Sequence, residues 1–271
     1  MKKNKTSEAL TPFLNRVLQG DCLKILPAIP DKSIDLILCD PPYGQTNNPW
    51  DKIIDLNQLW SHYKRIIKDR GCIILTAQGL FTAKVIISNP EMFKFKIIWI
   101  KSRATNFLNA RKQPLRKHED ICVFYKKQPV YNPQKKIGLP YNKGWRKHQT
   151  GSYGEMKPSP LRNESGQRYP TDVLFLCDDY VYIKTAETKR EPTFHPTQKP
   201  VELGRYLVRT FSNPGDVVLD NACGCGSFLV AAKLESRNFI GIELNENAYK
   251  KKSQKIDFIK ICQQRLDNAE R

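Results

Sequence analysis

Asp40-Pro41-Pro42-Tyr43 is the stretch of this 271-residue chain whose residue types are best matched to chemistry. It follows directly on the apolar run 34–39. Two successive prolines remove two backbone donors and hold the chain extended. What remains are acceptors, the Asp40 carboxylate and the Pro41 carbonyl, with an aromatic ring beside them. Such a pocket suits a planar heterocycle bearing an exocyclic amine: its two N–H bonds donate and its ring stacks on Tyr43. A proline-rich turn capped by an aspartate is the plainer alternative. The attached Tyr43, and a second turn of nucleoside-binding type elsewhere in the chain, favour the chemical reading.

That second turn is Asp220-Asn221-Ala222-Cys223-Gly224-Cys225-Gly226-Ser227, between an apolar run and a helical pattern. A Gly-x-Gly turn lets backbone approach a ligand without side-chain interference. About 20 residues on, the run FIGIE ends in Glu243, placed to accept hydrogen bonds from ribose hydroxyls. Leu229 stands where a dinucleotide fingerprint has its third glycine, so a nucleoside ligand without phosphates fits better than a dinucleotide. S-adenosylmethionine meets that description. Cys223 and Cys225 are too closely spaced for zinc, no C-x-x-C pair occurs, and no metal is expected. The eight cysteines sit mostly in apolar runs and read as buried thiols.

The elements that must hold these turns alternate. Strand-like runs are expected at 16–20, 34–39, 72–76, 96–100, 121–125, 216–219 and 239–242, with helices at 56–67, 201–211, 228–234 and 246–266. The alternation predicts an α/β fold, a doubly wound, mostly parallel, seven-stranded sheet. Ligands then sit beyond the carboxyl ends of the strands, where both turns lie.

Net charge is +18, and residues 101–195 carry 19 basic against 9 acidic side chains. That excess points to nucleic acid. The region 127–194 reads as a loop-rich basic insertion between a half at 12–126 and a half at 195–271. No apolar run approaches the roughly 18 residues of a membrane span, and the basic, polar first ten residues are unlike a secretory signal. A cytoplasmic protein is expected, without a membrane partner.

The segments DPPYG (40–44), HPTQKPVEL (195–203), DNACGCGS (220–227) and GIELN (241–245) resemble the motif set of S-adenosylmethionine-dependent DNA methyltransferases acting on exocyclic amines. Their order resembles the β group of adenine-N6 and cytosine-N4 enzymes, with the cofactor half after the catalytic half. The resemblance runs from about Arg16 to Leu266. It implies a Rossmann-like fold with permuted motif order, S-adenosyl-L-methionine as cofactor, and double-stranded DNA as substrate. A homodimer and a cognate restriction endonuclease are the further partners it suggests. Asp40, Pro41, Pro42 and Tyr43 would be catalytic. Asp21, Cys22, Asp40, Thr197, Lys199, Asp220, Ala222, Cys223, Gly224, Gly226, Glu243 and Asn245 would bind the cofactor. Asn221 and Ala222 depart from the family's more frequent Pro and Phe, which removes an aromatic shelf. Region 127–194 is taken as target-recognising. Lys101, Arg103, Arg111, Lys112, Arg116, Lys117, Lys143, Arg146 and Lys147 are assigned to DNA.

An amine whose lone pair is delocalised into a base must become pyramidal to attack a methyl sulfonium. Acceptors on both N–H bonds stabilise the charge that develops, and a base inside a duplex must be extruded to reach them. No Pro-Cys dipeptide occurs, which disfavours cytosine-C5 chemistry through a thiolate. Asp rather than Ser or Asn before Pro-Pro-Tyr leans to adenine within the resembling family. Cytosine-N4 methylation is the first alternative, an RNA base methyltransferase the second, and a non-enzymatic DNA-binding protein on this fold the third. His118 is expected at the base pocket, at a phosphate, or leading into a strand. His195 lies in the segment near the cofactor's methionine end. Either Trp50 and Asp51 help cover the base or Trp50 anchors the loop to the core, and the lysines at 250–252 read as a solvated helix face.

Overall fold

The run Ile34–Cys39 is almost wholly apolar because both of its faces are covered. Ile37 and Cys39 pack on one side of the sheet with Leu59, Trp60, Tyr63 and Ile66. Leu36 and Leu38 pack on the other with Leu203, Leu207 and Phe228. This strand is central to an eight-stranded sheet, seen in a computed structural model that describes residues 5–46, 48, 51–148, 151–152, 154–176, 194, 197–245, 250–251 and 254–270.

The chain divides into two compact units, one of Met1–Asn132 with Asp172–Arg271, the other of Pro133–Thr171. In the larger unit the elements run α1 (Lys5–Leu10), β1 (Arg16–Gln19), α2 (Cys22–Ile25), β2 (Ile34–Cys39), α3 (Leu56–Ile66), β3 (Ile67–Ala77), α4 (Leu80–Ser88), β4 (Phe93–Thr105) and β5 (Arg116–Phe124). The smaller unit holds β6 (Lys136–Ile137) paired antiparallel with β9 (Gln167–Arg168), and β7 (Tyr141–Arg146) paired antiparallel with β8 (Ser159–Asn163). The larger unit resumes with β10 (Val173–Phe175), α5 (Val201–Phe211), β11 (Val217–Asp220), α6 (Ser227–Leu234), β12 (Asn238–Glu243), the hairpin β13 (Lys250–Lys251) and β14 (Gln254–Lys255), and α7 (Phe258–Asp267).

The sheet order is β1-β12-β11-β2-β3-β5-β4-β10. Pairing is parallel except where β5 runs antiparallel between β3 and β4. All seven expected strands are present. An eighth, β10, comes from inside the expected 127–194 insertion: its short apolar run pairs with Ile98–Ile100 on the edge of β4. Asn132, from the same region, is tied to the carbonyls of Arg209 and Ser212.

Four helices differ from expectation. The sequence reading had no element at α1, α2 or α4; in α4 the β-branched Thr82, Val85, Ile86 and Ile87 weaken the helical signal. The long helix expected over 246–266 is shorter among the described residues. The lysine-rich stretch contains the hairpin β13–β14, and α7 starts at Phe258. Asp257 sets that start by accepting from the Lys260 amide at 3.0 Å, while the Asn245 side chain accepts from the Phe258 amide at 3.0 Å. Phe258, Cys262 and Leu266 recur every fourth residue and are buried. Among the described residues no helix is long and apolar enough to cross a membrane.

Gly226 shows how closely α7 is seated. Its φ is +80°, and a Cβ there would lie 2.2 Å from the Cys262 sulfur. Gly215, at φ +87°, faces open space. Gly226→Ala should therefore cost about 1–3 kcal/mol more than Gly215→Ala, since both share the backbone penalty and only the first adds overpacking. Urea midpoints of the two variants measure it; equal midpoints would contradict the seating of α7.

Candidate active site

Asp40 is the first residue beyond β2, and its carboxylate is held on both oxygens. Oδ1 accepts from the Tyr43 hydroxyl at 2.9 Å and from the Thr76 hydroxyl on β3. Oδ2 lies 2.8 Å from the Lys199 ammonium, just before α5. Lys199 is buried and also meets Glu119 of β5 at 3.2 Å. The other Glu119 oxygen pairs with Lys101 at 3.2 Å. The Tyr43 hydroxyl stands 3.3 Å from Glu119 as well, so its single hydrogen has two carboxylates to choose between.

The electrostatics follow from that layout. Burial by itself pushes the Lys199 pKa down, but Asp40 and Glu119 together outweigh it and the net shift is upward. Burial, reinforced by the same two carboxylates, pushes the Tyr43 phenol well up, so it remains a neutral donor. The Tyr43 ring stacks on Phe81 with centroids 5.1 Å apart and 24° between planes. The loop carrying Tyr43 is fixed by Asp51, which accepts from the amides of Gly44 at 2.8 Å, Gln45 at 2.9 Å and Thr46 at 2.7 Å. Burial opposes its charge, yet the donors prevail and its carboxyl sits below the ordinary value. Asp51 is thus a loop anchor. Trp50 and His195 lie outside the described residues.

The second turn follows β11 and leads into α6. Asp220 is buried, and burial foremost drives its carboxyl well above the ordinary range, with Asp40 and Glu243 adding to the shift. It accepts from the Ala222 amide at 3.2 Å. Asn221, where the family more often has Pro, accepts from the buried Tyr63 hydroxyl; its Nδ2 is buried without an acceptor. Glu243, at the end of β12, accepts from the Gly224 amide at 2.7 Å and the Asn245 amide at 3.0 Å. Burial raises its carboxyl, partly offset by those two donors. Beyond β1, Asp21 caps α2 through the Leu23 amide at 2.9 Å.

Both turns open onto one cleft of about 660 Å³. Asp40, Pro41, Pro42, Tyr43, Glu119 and Lys199 line it, together with Asp21, Cys22, Thr197, Asp220, Asn221, Ala222, Cys223, Gly224 and Glu243. Gly226 is not among the lining residues and packs on Cys262 instead. Asn245 is also outside the cleft, where its side chain helps start α7. Of the basic residues singled out, Lys101 and Arg116 line the cleft. Arg103, Arg111, Lys112 and Lys117 are exposed outside it on the same stretch. Lys143, Arg146 and Lys147 belong to the smaller unit. His118 is exposed, and its carbonyl accepts from Gln78. Among the described residues no group of three His, Cys, Asp or Glu is placed to hold a metal.

The sequence reading missed Glu119, Thr76 and the clamp role of Asp51. A signal for Glu119 existed: it is the first acidic residue after the basic stretch 101–118, and it enters an apolar strand. Thr76 carries no such mark.

The chain matches the DNA methylase family of N6/N4 type over residues 34–255 and belongs to it. It is 31% identical over 270 residues to the type II methyltransferase M.HinfI of Haemophilus influenzae, covering 87% of this chain and 66% of that protein. It is 28% identical over 267 residues to the DNA adenine methyltransferase YhdJ of Escherichia coli (strain K12), covering 93% of this chain and 83% of that protein. The crystal structure of an M1.HpyAVI–SAM complex has the same fold, with a TM-score of 0.62 at 20% identity, over 93% of this chain and 98% of that one.

Lys199→Met would leave Asp40 and Glu119 without the cation between them. Breaking such a pair should cost about 3–5 kcal/mol at neutral pH, read from denaturant midpoints. Folded Lys199 holds its proton more tightly than the unfolded chain does. Its contribution is therefore complete below about pH 10.4 and lost as pH rises through its raised folded pKa. The wild-type midpoint should fall more steeply over that alkaline range than that of the variant. A variant as stable as wild type at pH 7 would contradict the bridge.

Proposed function

We propose that this protein is a DNA methyltransferase that uses S-adenosylmethionine to methylate the exocyclic amine of a base turned out of the duplex, with adenine N6 as its target. The observation that carries the reading is one cleft with two kinds of end: an acceptor corner at Asp40–Tyr43, and a nucleoside-type turn at Asp220–Gly224 with Glu243 beside it.

The residues present fit that cofactor. Glu243 offers a carboxylate to ribose hydroxyls at the end of β12. Asp220 offers an acceptor to the methionine ammonium, and Asn221 Nδ2 is a buried donor still without an acceptor. Ala222 contributes no ring, but Phe228 and Phe258 line the same cleft. When bound, the cofactor supplies an electrophilic methyl on sulfur.

The chain's own residues would do the rest. A carboxylate has about four acceptor sites, and Tyr43, Thr76 and Lys199 occupy three on Asp40. One remains for a base N–H, and the Pro41 carbonyl takes the other. Both bonds strengthen as the nitrogen gains positive charge. Glu119 gives Tyr43 and Lys199 a second partner, so neither has to rely on Asp40 alone. The base stacks on Tyr43, whose own support is Phe81. Asp at position 40 leans to adenine in the resembling family, and YhdJ is named an adenine enzyme.

Duplex DNA is the partner we assign to the basic stretch 101–118. The unit Pro133–Thr171 is the proposed target reader: Lys143, Arg146 and Lys147 accompany exposed Trp145 and Tyr169, suited to phosphates and bases.

Radiolabelled cofactor and DNA should give label in N6-methyladenosine-type nucleosides after digestion. A peak at N4-methylcytosine would instead assign the cytosine branch. Asp40→Ala should lower transfer by about 10²–10³-fold, and undiminished transfer would defeat the acceptor role. Tyr43→Ala should reduce turnover far more than DNA affinity in parallel gel-shift titrations; equal losses would count against stacking.

A further inference from the structure

Between β4 and β5 the chain makes a short turn at the rim of the cleft, and two large apolar side chains stand out from it. Phe107 is 75% exposed and Leu108 is 84% exposed. They are held there by a tight 3-10 turn over Phe107–Asn109. Asn106 enters it in the left-handed conformation at φ +70°, and the Asn109 side chain donates to that of Asn106 at 2.7 Å. The Lys112 amide returns to the Asn109 carbonyl at 2.8 Å. The turn is tied to its own strand ends: the Thr105 hydroxyl donates to the Arg116 carbonyl at 3.3 Å.

Two features separate this pair from other exposed apolar residues such as Leu80 and Ile87 on α4. First, its surroundings carry one sign of charge. Residues 101–118 contain six basic side chains and no acidic one, and Arg103, Arg111, Lys112, Arg116 and Lys117 are exposed. Second, it adjoins the cleft, because Thr105, Asn106 and Arg116 line it. A polyanion drawn to those cations brings its stacked bases against Phe107 and Leu108. Apolar side chains that enter a base step unstack it and occupy the space that opens.

We propose that Phe107 and Leu108 form the wedge that enters the duplex where the target base leaves it. The proposal rests on the methyltransferase reading above and adds the residues that hold the extruded state open. The wedge stands on the loop that also contributes cleft lining, so the gap it fills lies beside the pocket that takes the base. The cations around it bind phosphates on either side, without regard to sequence.

The test uses the full chain, S-adenosylmethionine, and duplexes carrying the sequence found modified in DNA of an expressing host. One duplex is fully matched; the other has an abasic site opposite the target, where extrusion costs less and the gap needs no filling. The Phe107→Ala/Leu108→Ala double variant should lose about tenfold or more in kcat/KM on the matched duplex. On the abasic duplex its loss should be under about threefold, and cofactor affinity should match wild type. Leu108→Met with Phe107 intact should retain matched-duplex activity. Equal losses on the two duplexes, or none on the matched one, would overturn the wedge. Failure of the wild-type protein to methylate either duplex would be a different result: it would remove the methyltransferase reading, and the wedge with it.

Discussion

One buried ammonium organises the acceptor corner. Lys199 lies between Asp40 at 2.8 Å and Glu119 at 3.2 Å, carboxylates that come from the ends of two different strands. Without that charge the two acids would face each other with no cation between them. With it, each carboxylate has a cation beside it, and Tyr43 and Thr76 donate to Asp40 as well. The position of the proposed base pocket depends on this bridge, with Asp51 holding the loop beyond Tyr43 and Phe81 supporting the Tyr43 ring.

The fold makes the bridge available at low cost in chain. β2 and β11 are neighbours in the sheet, although Asp40 and Asp220 stand far apart in sequence. Parallel strands deliver the residues after β1, β2, β11 and β12 to one edge, and antiparallel β5, which starts at that same edge, carries Glu119 close to its start. Gly204 lets α5 approach α6 closely: a Cβ there would meet Ala231 at 2.7 Å and Phe228 at 2.9 Å. The helix that Lys199 precedes is therefore seated on the helix that follows the Asp220 turn.

Much of this could be read from residues alone. Near-continuous apolar runs marked β2, β11 and β12, because strands covered on both faces need no alternation. Asp40–Tyr43 stood out because prolines fix the backbone, and Asp220–Gly226 because glycines let it come close to a ligand. What failed to register was of two kinds. Helix α4, with its β-branched residues, was missed, and the last helix starts later than its residues suggested. Partners were missed where the contact spans the topology: Thr76 is an ordinary threonine until β3 lies beside β2. Lys199 was noticed through its motif, but its second carboxylate, Glu119, is 80 positions away and becomes its neighbour only through strand order.

The central claim is that a base amine held by Asp40 and Pro41 lies next to the transferable methyl. A crystal structure with sinefungin, whose amine stands where the methyl sulfonium would be, tests it most directly. The account predicts the ligand's ribose at Glu243, its amino-acid end near Asp220, and its amine directed at the Asp40 corner. A ligand bound with that amine pointing away from Asp40, or bound outside the cleft, would contradict it.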